Sequence, residues 1–522
     1  MSGAAKPVLV VGAGPVGLMT ALALKFYGVP FRLFEEDASF SSDTKAGTIL
    51  TRTIEAFRRY GVDEAVLASA LRVDEIGDIE RAGNVPRRSV LTHHLWEETR
   101  CPFVINLPQH HLEPILAAHL MAGNEASVST EHRLTGFSQD ADGVTARFRT
   151  PQGEVEVEGS YLIACDGGRS TVRGLLDIPV EGQSLDVRYM LVDVKVDLDI
   201  ANPRNYPYLA YFSDPQEWMV LVRQPHCWRF LFPLAPDAPE GTPEGLEAKV
   251  RHFIGEVGSL EVVNTITYRV HHRIASRWRD GRVFLAGDAA HLITPMWALG
   301  LNTGVLDAIN LPWRLAWVLR GWADDSLLDG YEREQQPLAA HGSGEMAEAA
   351  RKLMGGETDG TRAMSGDDWA NAMTRAMLGV RLDVAGNGDW SIVRTARGAL
   401  RVGDRVPDMK LFDGAGRAVH THDLDDDSFV ALYFTDARRR PPLPEDDLPG
   451  LKSYIVSRWD APLDSGLRER ALLDVGGRVQ ERFGCGEDTV VLVRPDDHVA
   501  AILPMEGAGI GDLYRCILGQ SR

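Results

Sequence analysis

The clearest pattern of apolar and polar positions lies near the start of the chain. Val8–Val11 is short and wholly apolar, which predicts a buried parallel strand. After a glycine-rich turn, residues 18–27 have the composition of a helix, and Gly28 is a typical helix stop. Phe31–Phe34 predicts a second strand. The segment as a whole therefore predicts a β-α-β unit.

Apolar periodicity predicts further elements along the chain. Helical spacing predicts helices at 51–60, 108–120, 305–321 and 346–377. The last of these is interrupted by a polar, glycine-rich stretch at 355–368, which we interpret as a loop or boundary. Strand-like patterns predict a hairpin at 143–164, aromatic-rich strands between 185 and 232, and an apolar strand within 281–291.

A separate block begins near residue 402. Its pattern predicts strands at 429–434 and 489–493, helices between them, and a final hairpin strand at 499–503. This order predicts a small independent α/β domain. The aromatic residues of 185–232 most simply form the core of a half-buried sheet, although they also suit the wall of an aromatic-substrate pocket.

Composition narrows the possible functions. With 522 residues the chain is too long for one core, and its net charge of −19 argues against binding to nucleic acid or anionic membranes. The five cysteines are scattered and form no C-x-x-C pair, which favours a reducing cytoplasm over a disulfide scaffold or zinc site. The uncharged run at 7–24 is broken by glycine and proline, so we expect a soluble protein rather than a membrane helix.

The turn after the first strand carries the strongest chemical signal. Gly12, Gly14 and Gly17 fit G-x-G-x-x-G, and Glu35 follows at the end of the second strand. In such a turn the first glycine makes the bend, the second admits a pyrophosphate, and the third lets helix pack on strand. The helix N-terminus attracts the pyrophosphate, and the acid accepts hydrogen bonds from a ribose. The sequence therefore predicts dinucleotide binding.

Two later turns repeat this design. The predicted strand before Cys165 ends in Asp166-Gly167-Gly168, and the strand within 281–291 ends in Gly287-Asp288, followed by Pro295. A third glycine-rich turn, 300–304, leads into the helix predicted at 305–321 and would present backbone N–H groups to a ring or phosphate. Gln109 begins another helix with its amide able to face a ligand.

Three motifs carry a resemblance to a known family: the G-x-G-x-x-G turn with Glu35, the Asp166-Gly167 turn, and the Gly287-Asp288 turn with Pro295. Together they resemble the motifs of the group A flavoprotein monooxygenases. These are the single-component aromatic hydroxylases that act on phenols, hydroxybenzoates, hydroxyphenylpropionates and polyketides. The resemblance covers roughly residues 6–350. The last block resembles the thioredoxin-like tail of many members, without the redox-active C-x-x-C. The resemblance implies FAD as the cofactor, held by Gly12, Gly14, Pro15, Val16, Gly17, Glu35, Glu36, Lys45, Arg52, Gln109, Asp166, Gly167, Asp288, Pro295, Gly300, Leu301 and Asn302.

The fold that this resemblance implies is α/β, with a Rossmann-like FAD-binding domain of the glutathione-reductase type, an antiparallel-sheet substrate domain and a small C-terminal thioredoxin-like domain. We expect the FAD-binding domain at 1–180 and 271–395, with substrate-domain strands near 73–105. The middle sheet domain is expected at 181–270 and the C-terminal domain at 400–522.

The sequence departs from the family at two places. Lys45 stands where a phosphate-binding arginine is frequent, and lysine lacks the bidentate fork of arginine. The usual glycine-rich segment before the flavin helix reads Trp297-Ala298-Leu299-Gly300. Because two bulky side chains replace small ones beside the expected flavin, we expect the pocket or the mobility of the flavin to differ from that of relatives.

The family chemistry predicts hydroxylation of an aromatic, phenolic small molecule by NADPH or NADH and O2 through a flavin hydroperoxide. A phenol reacts better when deprotonated, so a general base is expected; His226, Tyr211 and His291 are candidates, with Pro295 beside the reacting centre. Oxygenation of an N-heteroaromatic ring, Baeyer–Villiger oxidation and a non-catalytic flavin-binding role remain alternatives. A flavin-dependent halogenase is disfavoured, because Trp313 and Trp317 lack the spacing of its Trp-x-Trp-x-Ile-Pro segment. A homodimer is an expectation from the resemblance alone.

Overall fold

The fold is taken from a computed structural model of the chain. It describes residues 6–40, 47–80, 85–123, 127–199, 205–214, 217–235, 237–239, 241–255, 257–354, 366–384, 399–424, 427–436, 441–444, 448–458, 465–507 and 509–520. None of the helices in these ranges has the length and apolar character needed to cross a bilayer.

A twisted parallel sheet forms the first layer of the molecule. Its strands lie in the order Arg279–Asp280, Val283–Leu285, Tyr161–Ala164, Val8–Val11, Phe31–Phe34 and Val128–Ser129, and only the first of them runs antiparallel to its neighbour. Val8–Val11 is buried on both faces, as its apolar run predicted. The helices Pro15–Phe26, Gln109–Met121 and Leu299–Leu319 pack around this sheet, the first lying against both others.

A second, largely antiparallel sheet of eight strands stands beside the first. Its order is His291–Leu292, Leu260–Ala275, Val180–Val196, Trp228–Leu234, Met219–Arg223, Leu209–Ser213, Glu75–Glu80 and Val85–Leu91. One face packs on the helix Pro243–Ile254 through an aromatic core that includes Phe230, Phe232 and Phe253. The other face turns toward the parallel sheet, so it is in position to form one wall of a site.

The C-terminal block is a third sheet. Its strands lie in the order Ala418–His420, Lys410–Asp413, Ala471–Leu473, Leu451–Ser457, Phe429–Thr435, Thr489–Val493 and Val499–Pro504. The helices Ser465–Arg468, Arg478–Phe483 and Ile510–Ile517 belong to this block. Phe429 and Tyr514 share one buried apolar cluster with Trp313 and Trp317, so the block is docked on the helix Leu299–Leu319 rather than tethered to it.

Smaller elements complete the fold. One three-stranded sheet pairs Arg133–Gln139, Val144–Thr150 and Gly153–Gly159, and another pairs Thr48–Ile49, Val104–Asn106 and Leu71–Val73. The remaining helices are Thr51–Arg59, Asp63–Ser69, Thr171–Leu175, Asp329–Pro337, a π-helix at Leu338–Gly344, Glu345–Met354 and Gly366–Leu378. Short 3₁₀ turns lie at Thr92–Leu95, Gly287–Ala289, Met296–Ala298, Asp325–Leu328, Thr421–Asp423 and Val475–Gly477.

Three sequence-based expectations differ from this structure. The hairpin predicted at 143–164 ends at Gly159, and Tyr161–Ala164 instead joins the parallel sheet, because its apolar run suits burial on both faces. The helix predicted from residue 305 begins at Leu299, so the glycine-rich turn belongs to its first turns. The strand Leu451–Ser457 of the C-terminal block was not predicted. Most of the predicted loop at 355–368 lies outside the described residues.

Candidate active site

A single cavity of about 980 Å³ lies between the parallel sheet and the second sheet. One side is formed by loops at the carboxyl ends of parallel strands, and the opposite side by the inner face of the second sheet. Of the residues singled out in the sequence, Gly14, Pro15, Val16, Gln109, Asp166, Gly167, Tyr211, Asp288, Pro295, Gly300 and Leu301 line this cavity. The three glycine-containing motifs, far apart in sequence, thus meet at one place.

The first glycine turn has the close contacts that its motif predicted. Gly12 has a φ of +98°, and a Cβ there would lie 2.3 Å from the Cys165 carbonyl oxygen. A Cβ on Gly17 would lie 1.9 Å from the Gly12 carbonyl oxygen, so the helix could not approach the strand. A Cβ on Gly14, in contrast, meets no protein atom within 4 Å. Gly14 therefore faces space that a ligand can fill, at the N-terminus of Pro15–Phe26.

The acids after the second strand behave differently from one another. One Glu35 carboxylate oxygen accepts a 2.7 Å hydrogen bond from the Ala13 N–H, and the other accepts one from Asp37. Glu35 is thereby fixed beside the glycine turn, although it is not among the cavity-lining residues. Glu36 lies on the surface, 3.6 Å from Arg133. The structure thus brings only the first of the two acids to the turn.

Asp166 carries an unsatisfied buried atom. Its Oδ2 accepts a 3.1 Å hydrogen bond from the Val172 N–H, while its Oδ1 is buried with no hydrogen-bond partner. Burial raises the pKa of the Asp166 carboxyl, and the hydrogen bonds to its charged form oppose this effect. Beside it, Gly167 has a φ of +76°, and a Cβ there would meet no protein atom. A polar ligand in the cavity would complete this motif.

The Gly287-Asp288 turn is held from behind by the buried side chains of Asp307 and His291. Asp307 Oδ2 accepts hydrogen bonds from the Gly287 N–H at 2.8 Å and from His291 Nε2 at 2.9 Å. The Trp278 ring stacks on His291, with ring centroids 5.2 Å apart. His291 is therefore a structural residue that shapes the turn, and it does not line the cavity. Asp288 projects from the turn into the cavity.

The segment from Pro295 to Leu301 has an unusual backbone. Trp297 and Ala298 both have left-handed conformations, with φ values of +56° and +58°, which non-glycine residues rarely adopt. This double turn directs the side chains of Trp297 and Leu299 into an apolar core, where each is at most 4% exposed. Neither side chain lines the cavity, and the expected difference from relatives in the pocket or in the mobility of the flavin stays a prediction.

Asn302 connects this segment to the neighbouring helix. Its Oδ1 accepts hydrogen bonds from the Leu50 N–H at 2.9 Å and from Thr53 Oγ1 at 2.7 Å. Its Nδ2 donates to the Ala298 carbonyl oxygen at 2.6 Å. Asn302 is buried and absent from the cavity lining, so its contacts fix the Gly300 turn from behind.

The inner face of the second sheet supplies the opposite wall. Its register aligns two rows of side chains across four strands. The first row consists of Tyr211, Val220, Leu231 and Leu191, and the second of Leu209, Val222, Arg229 and Asp193. All of these except Asp193 line the cavity, so the wall is apolar over most of its area. Tyr211 belongs to a buried apolar cluster and also lines the cavity, and Tyr268 of Leu260–Ala275 lines it as well.

Three further predicted residues do not line the cavity or lie outside the described residues. The Arg52 guanidinium binds Asp497 at 2.8 Å and the Asp496 carbonyl oxygen at 2.6 Å, so it is committed to the C-terminal block. The His226 ring lies 5.7 Å from the His111 ring and is not part of the lining. Lys45 lies outside the described residues.

The ionisation of the remaining base candidates is set by burial. Tyr211 is 4% exposed, and burial raises the pKa of its phenol far above the ordinary value. It is therefore a hydrogen-bond donor at neutral pH rather than a base. His271 lines the cavity, and burial together with Arg273 and Arg269 lowers the pKa of its imidazole. A neutral imidazole can accept a proton, which adds His271 to the candidates.

Comparison with known proteins shows the family of this chain. Residues 5–342 match the family model described as FAD binding domain. The chain belongs to this FAD-binding family. It is 32% identical to tetracenomycin B2 monooxygenase-dioxygenase of Streptomyces olivaceus over 95% of its own length and 94% of the relative's. It is also 32% identical to 12-dehydrotetracycline 5-monooxygenase/anhydrotetracycline 6-monooxygenase of Streptomyces rimosus, over 64% of this chain and 67% of that one.

The solved structures agree with this assignment. A ternary complex of aklavinone-11 hydroxylase with FAD and aklavinone superimposes with a TM-score of 0.83, 27% identity, and coverage of 99% of this chain and 100% of that one. This member of the FAD-binding family is thus an FAD-dependent aromatic monooxygenase, with a Rossmann-like FAD-binding domain and a substrate domain.

The residues of this flavoprotein fit FAD. The open space at Gly14 and Gly167, the partnerless Asp166 Oδ1, and the helix N-terminus at Pro15 are all features that a bound dinucleotide would use. Sequence reasoning missed Gln224, Arg229 and Tyr268 on the opposite wall. The strand alternation of Val220 and Val222 continues to Gln224, which was the only signal available for it.

Proposed function

We propose that this monooxygenase uses NADPH or NADH and O2 to hydroxylate a phenolic substrate of more than one ring. The observation that carries the proposal is the apolar wall, which shares one cavity with all three cofactor motifs. Four neighbouring strands span about 14 Å, because strands in a sheet lie roughly 4.8 Å apart. Leu191, Leu231, Val220 and Tyr211 occupy that whole width, which is more than a single ring requires.

The names of the relatives support the same substrate class. They act on tetracenomycin B2, on 12-dehydrotetracycline and anhydrotetracycline, and on aklavinone. Two of these relatives match this chain over at least 95% of its length, so the similarity includes the second sheet and the C-terminal block.

When bound, FAD supplies the electron-transfer and oxygen-activating chemistry. The residues of the chain bind and orient the cofactor and the substrate, and they exclude water from the site. We assign the pyrophosphate to the N–H groups of Gly14 and Val16, the ribose to Glu35, and the flavin end to Pro295, Gly300 and Leu301. Exclusion of water favours transfer of oxygen to the substrate over its loss to solvent. The aliphatic side chains of the wall provide such a dry environment. Tyr211, which stays protonated, would donate a hydrogen bond to a substrate oxygen.

The proposal includes the remaining expectations about organisation. We retain the domain division at 1–180 with 271–395, 181–270 and 400–522, supported by the three larger sheets. A cytoplasmic location is supported by Cys101, Cys165, Cys227, Cys485 and Cys516, which form no disulfide. Homodimerisation is retained as an expectation that light scattering would test.

Anaerobic stopped-flow reduction of the bound flavin tests the substrate class. NADPH and NADH are each mixed with enzyme and a panel of phenols with one, two or three fused rings. We expect multi-ring phenols to accelerate flavin bleaching at least tenfold more than single-ring phenols. Equal acceleration by single-ring phenols would contradict the multi-ring assignment, and no acceleration by any phenol would contradict phenol hydroxylation itself. Product analysis after ¹⁸O2 turnover separates ring hydroxylation from Baeyer–Villiger insertion.

A further inference from the structure

The apolar wall ends in a small polar region. Val220, Val222 and Gln224 occupy alternate positions at the end of one strand and into the following turn, and all three line the cavity. Alternation would place a third apolar side chain at the last position. Instead there is a glutamine, and Arg229 lies directly across the strand pair from Val222. The two polar side chains therefore border the same part of the wall.

Gln224 has no hydrogen bond from its side chain. It is 0% exposed, and both its Nε2 and its Oε1 are buried without a partner. Its amide lies against Gly47, where a Cβ would come within 2.3 Å of Gln224 Nε2 and 3.1 Å of an Arg229 guanidinium nitrogen. A buried amide without partners is costly in free energy, so an uncompensated one at a cavity surface points to a ligand that supplies the missing bonds.

Arg229 defines the charge of this region. Its Nε and Nη2 bind the two carboxylate oxygens of Asp193 at 2.8 and 3.1 Å, and both side chains are 5% exposed. The pair is therefore neutral as a unit, and its geometry leaves Arg229 fixed. A substrate carboxylate would need an uncompensated cation, whereas a carbonyl or hydroxyl needs only hydrogen bonds.

We propose that Gln224 is a specificity-determining residue that binds a neutral oxygen substituent, a ketone carbonyl with its neighbouring hydroxyl, on the aromatic substrate. The amide N–H group donates to the carbonyl, and the amide oxygen accepts from the hydroxyl. This inference rests on the proposed hydroxylation of multi-ring phenols and names the substituent that such a substrate carries.

A matched pair of ligands tests the inference. 8-Hydroxy-1-tetralone and 5,6,7,8-tetrahydro-1-naphthol share one carbon frame and differ in the carbonyl group. Their dissociation constants are measured on the FAD-loaded enzyme by the change in flavin absorbance, for the wild type and for Gln224→Met, which keeps the side-chain length. We expect the wild type to bind the ketone at least tenfold more tightly, and the variant to bind both ligands within about twofold of each other. The naphthol affinity should fall less than the ketone affinity, because the naphthol loses only the contact between its hydroxyl and the amide oxygen.

A second buried glutamine provides the control. Gln335 is 2% exposed with an unpartnered Oε1, and it does not line the main cavity. Gln335→Met should leave the ketone preference intact. Because the Gln224 amide is unpartnered without ligand, we also expect Gln224→Met to raise the midpoint of thermal unfolding of the ligand-free enzyme.

Other results would overturn the inference. An unchanged ketone preference in Gln224→Met, or an equal loss of affinity for both ligands, would show that the amide does not bind the carbonyl. A change in FAD affinity with no change in ligand preference would assign Gln224 to the cofactor. If the FAD-loaded wild type binds neither ligand, the multi-ring phenol assignment fails together with this one. If it binds both and only the variant comparison fails, the proposed function stands.

Discussion

Glu334 forms the centre of a buried charge network, and its removal should destabilise the protein strongly. Its carboxylate accepts hydrogen bonds from Arg494 at 2.8 and 2.9 Å and from Arg314 at 2.7 Å, and it is 2% exposed. Burial by itself raises the pKa of Glu334, but Arg314 and Arg494 outweigh burial and lower that pKa from 4.5 to about 2. At about 1.4 kcal/mol per pKa unit, the charged form contributes about 3 kcal/mol to stability at neutral pH.

The variant Glu334→Gln removes the charge with little change in shape. It leaves Arg314 and Arg494 buried with one carboxylate fewer, and we expect a loss of about 3 kcal/mol in the free energy of unfolding. Urea unfolding at pH 7, followed by tryptophan fluorescence, measures this loss. Trp313 is a suitable reporter because its Nε1 donates to Asp496 in the same network. The difference in free energy is taken from the shift in midpoint at constant slope.

An exposed ion pair offers the control. Glu158 lies 3.1 Å from Lys6, with side chains 67% and 44% exposed, and Glu158→Gln should change stability by less than about 0.5 kcal/mol. Because the folded-state pKa of Glu334 is depressed, its contribution is complete above pH 4.5 and is lost as the pH falls from 4.5 toward 2. Similar losses in the two variants, or a Glu334→Gln deficit that grows on acidification, would refute this reasoning.

Three further predictions concern the site. Gly14→Ala should lower FAD affinity at least tenfold without changing the apoprotein's melting temperature, whereas Gly17→Ala should lower that temperature as well; flavin titration and thermal unfolding distinguish them. Ala298→Gly should stabilise the protein by about 1 kcal/mol in urea unfolding, because glycine adopts the left-handed backbone without strain. The control Ala65→Gly, in an exposed helical position, should destabilise the protein by a similar amount. Changes of the same sign in the two free energies of unfolding would contradict this. Tyr211→Phe should leave the pH dependence of hydroxylation unchanged, since the raised pKa of the Tyr211 phenol keeps it protonated; a shifted profile would make it the base.

The parts of the site that lie within one short segment were readable from the sequence. Gly12, Gly14 and Gly17 each make the contact that their motif predicted, because local sterics decide them. The convergence of Asp166 and Asp288 on the same cavity also followed from the motifs, since both end parallel strands of one sheet. The strands of the antiparallel sheet were predicted as a group, from their aromatic composition.

The failures all depended on long-range packing. Arg52 was predicted to bind the cofactor, but its partner is Asp497, which lies 445 residues away. No local sequence pattern predicts that contact. Trp297 was expected beside the flavin because neighbouring residues in the sequence were assigned to the flavin. The left-handed backbone of Trp297 and Ala298 instead directs the Trp297 side chain into the apolar core. Strand alternation puts Gln224 on the same face as Val220 and Val222, but only the structure shows that this face lines the cavity. Sequence periodicity predicts which face of a strand a side chain occupies. It does not predict which element or cavity lies against that face.

The docked turn Arg494–Asp497 has a consequence for the order in which the molecule can assemble. Arg52 binds this turn across 444 and 445 residues of sequence, and Glu334 binds it across 160. Contacts of such separation are slow to form, because closing the long intervening loop costs conformational entropy. The helix Leu299–Leu319, whose N-terminal end lines the cavity, and the helix Thr51–Arg59 both bind this C-terminal turn through buried polar side chains. The helix that supplies Gly300 and Leu301 to the cavity is thus held in place by a C-terminal sheet whose described residues do not line that cavity.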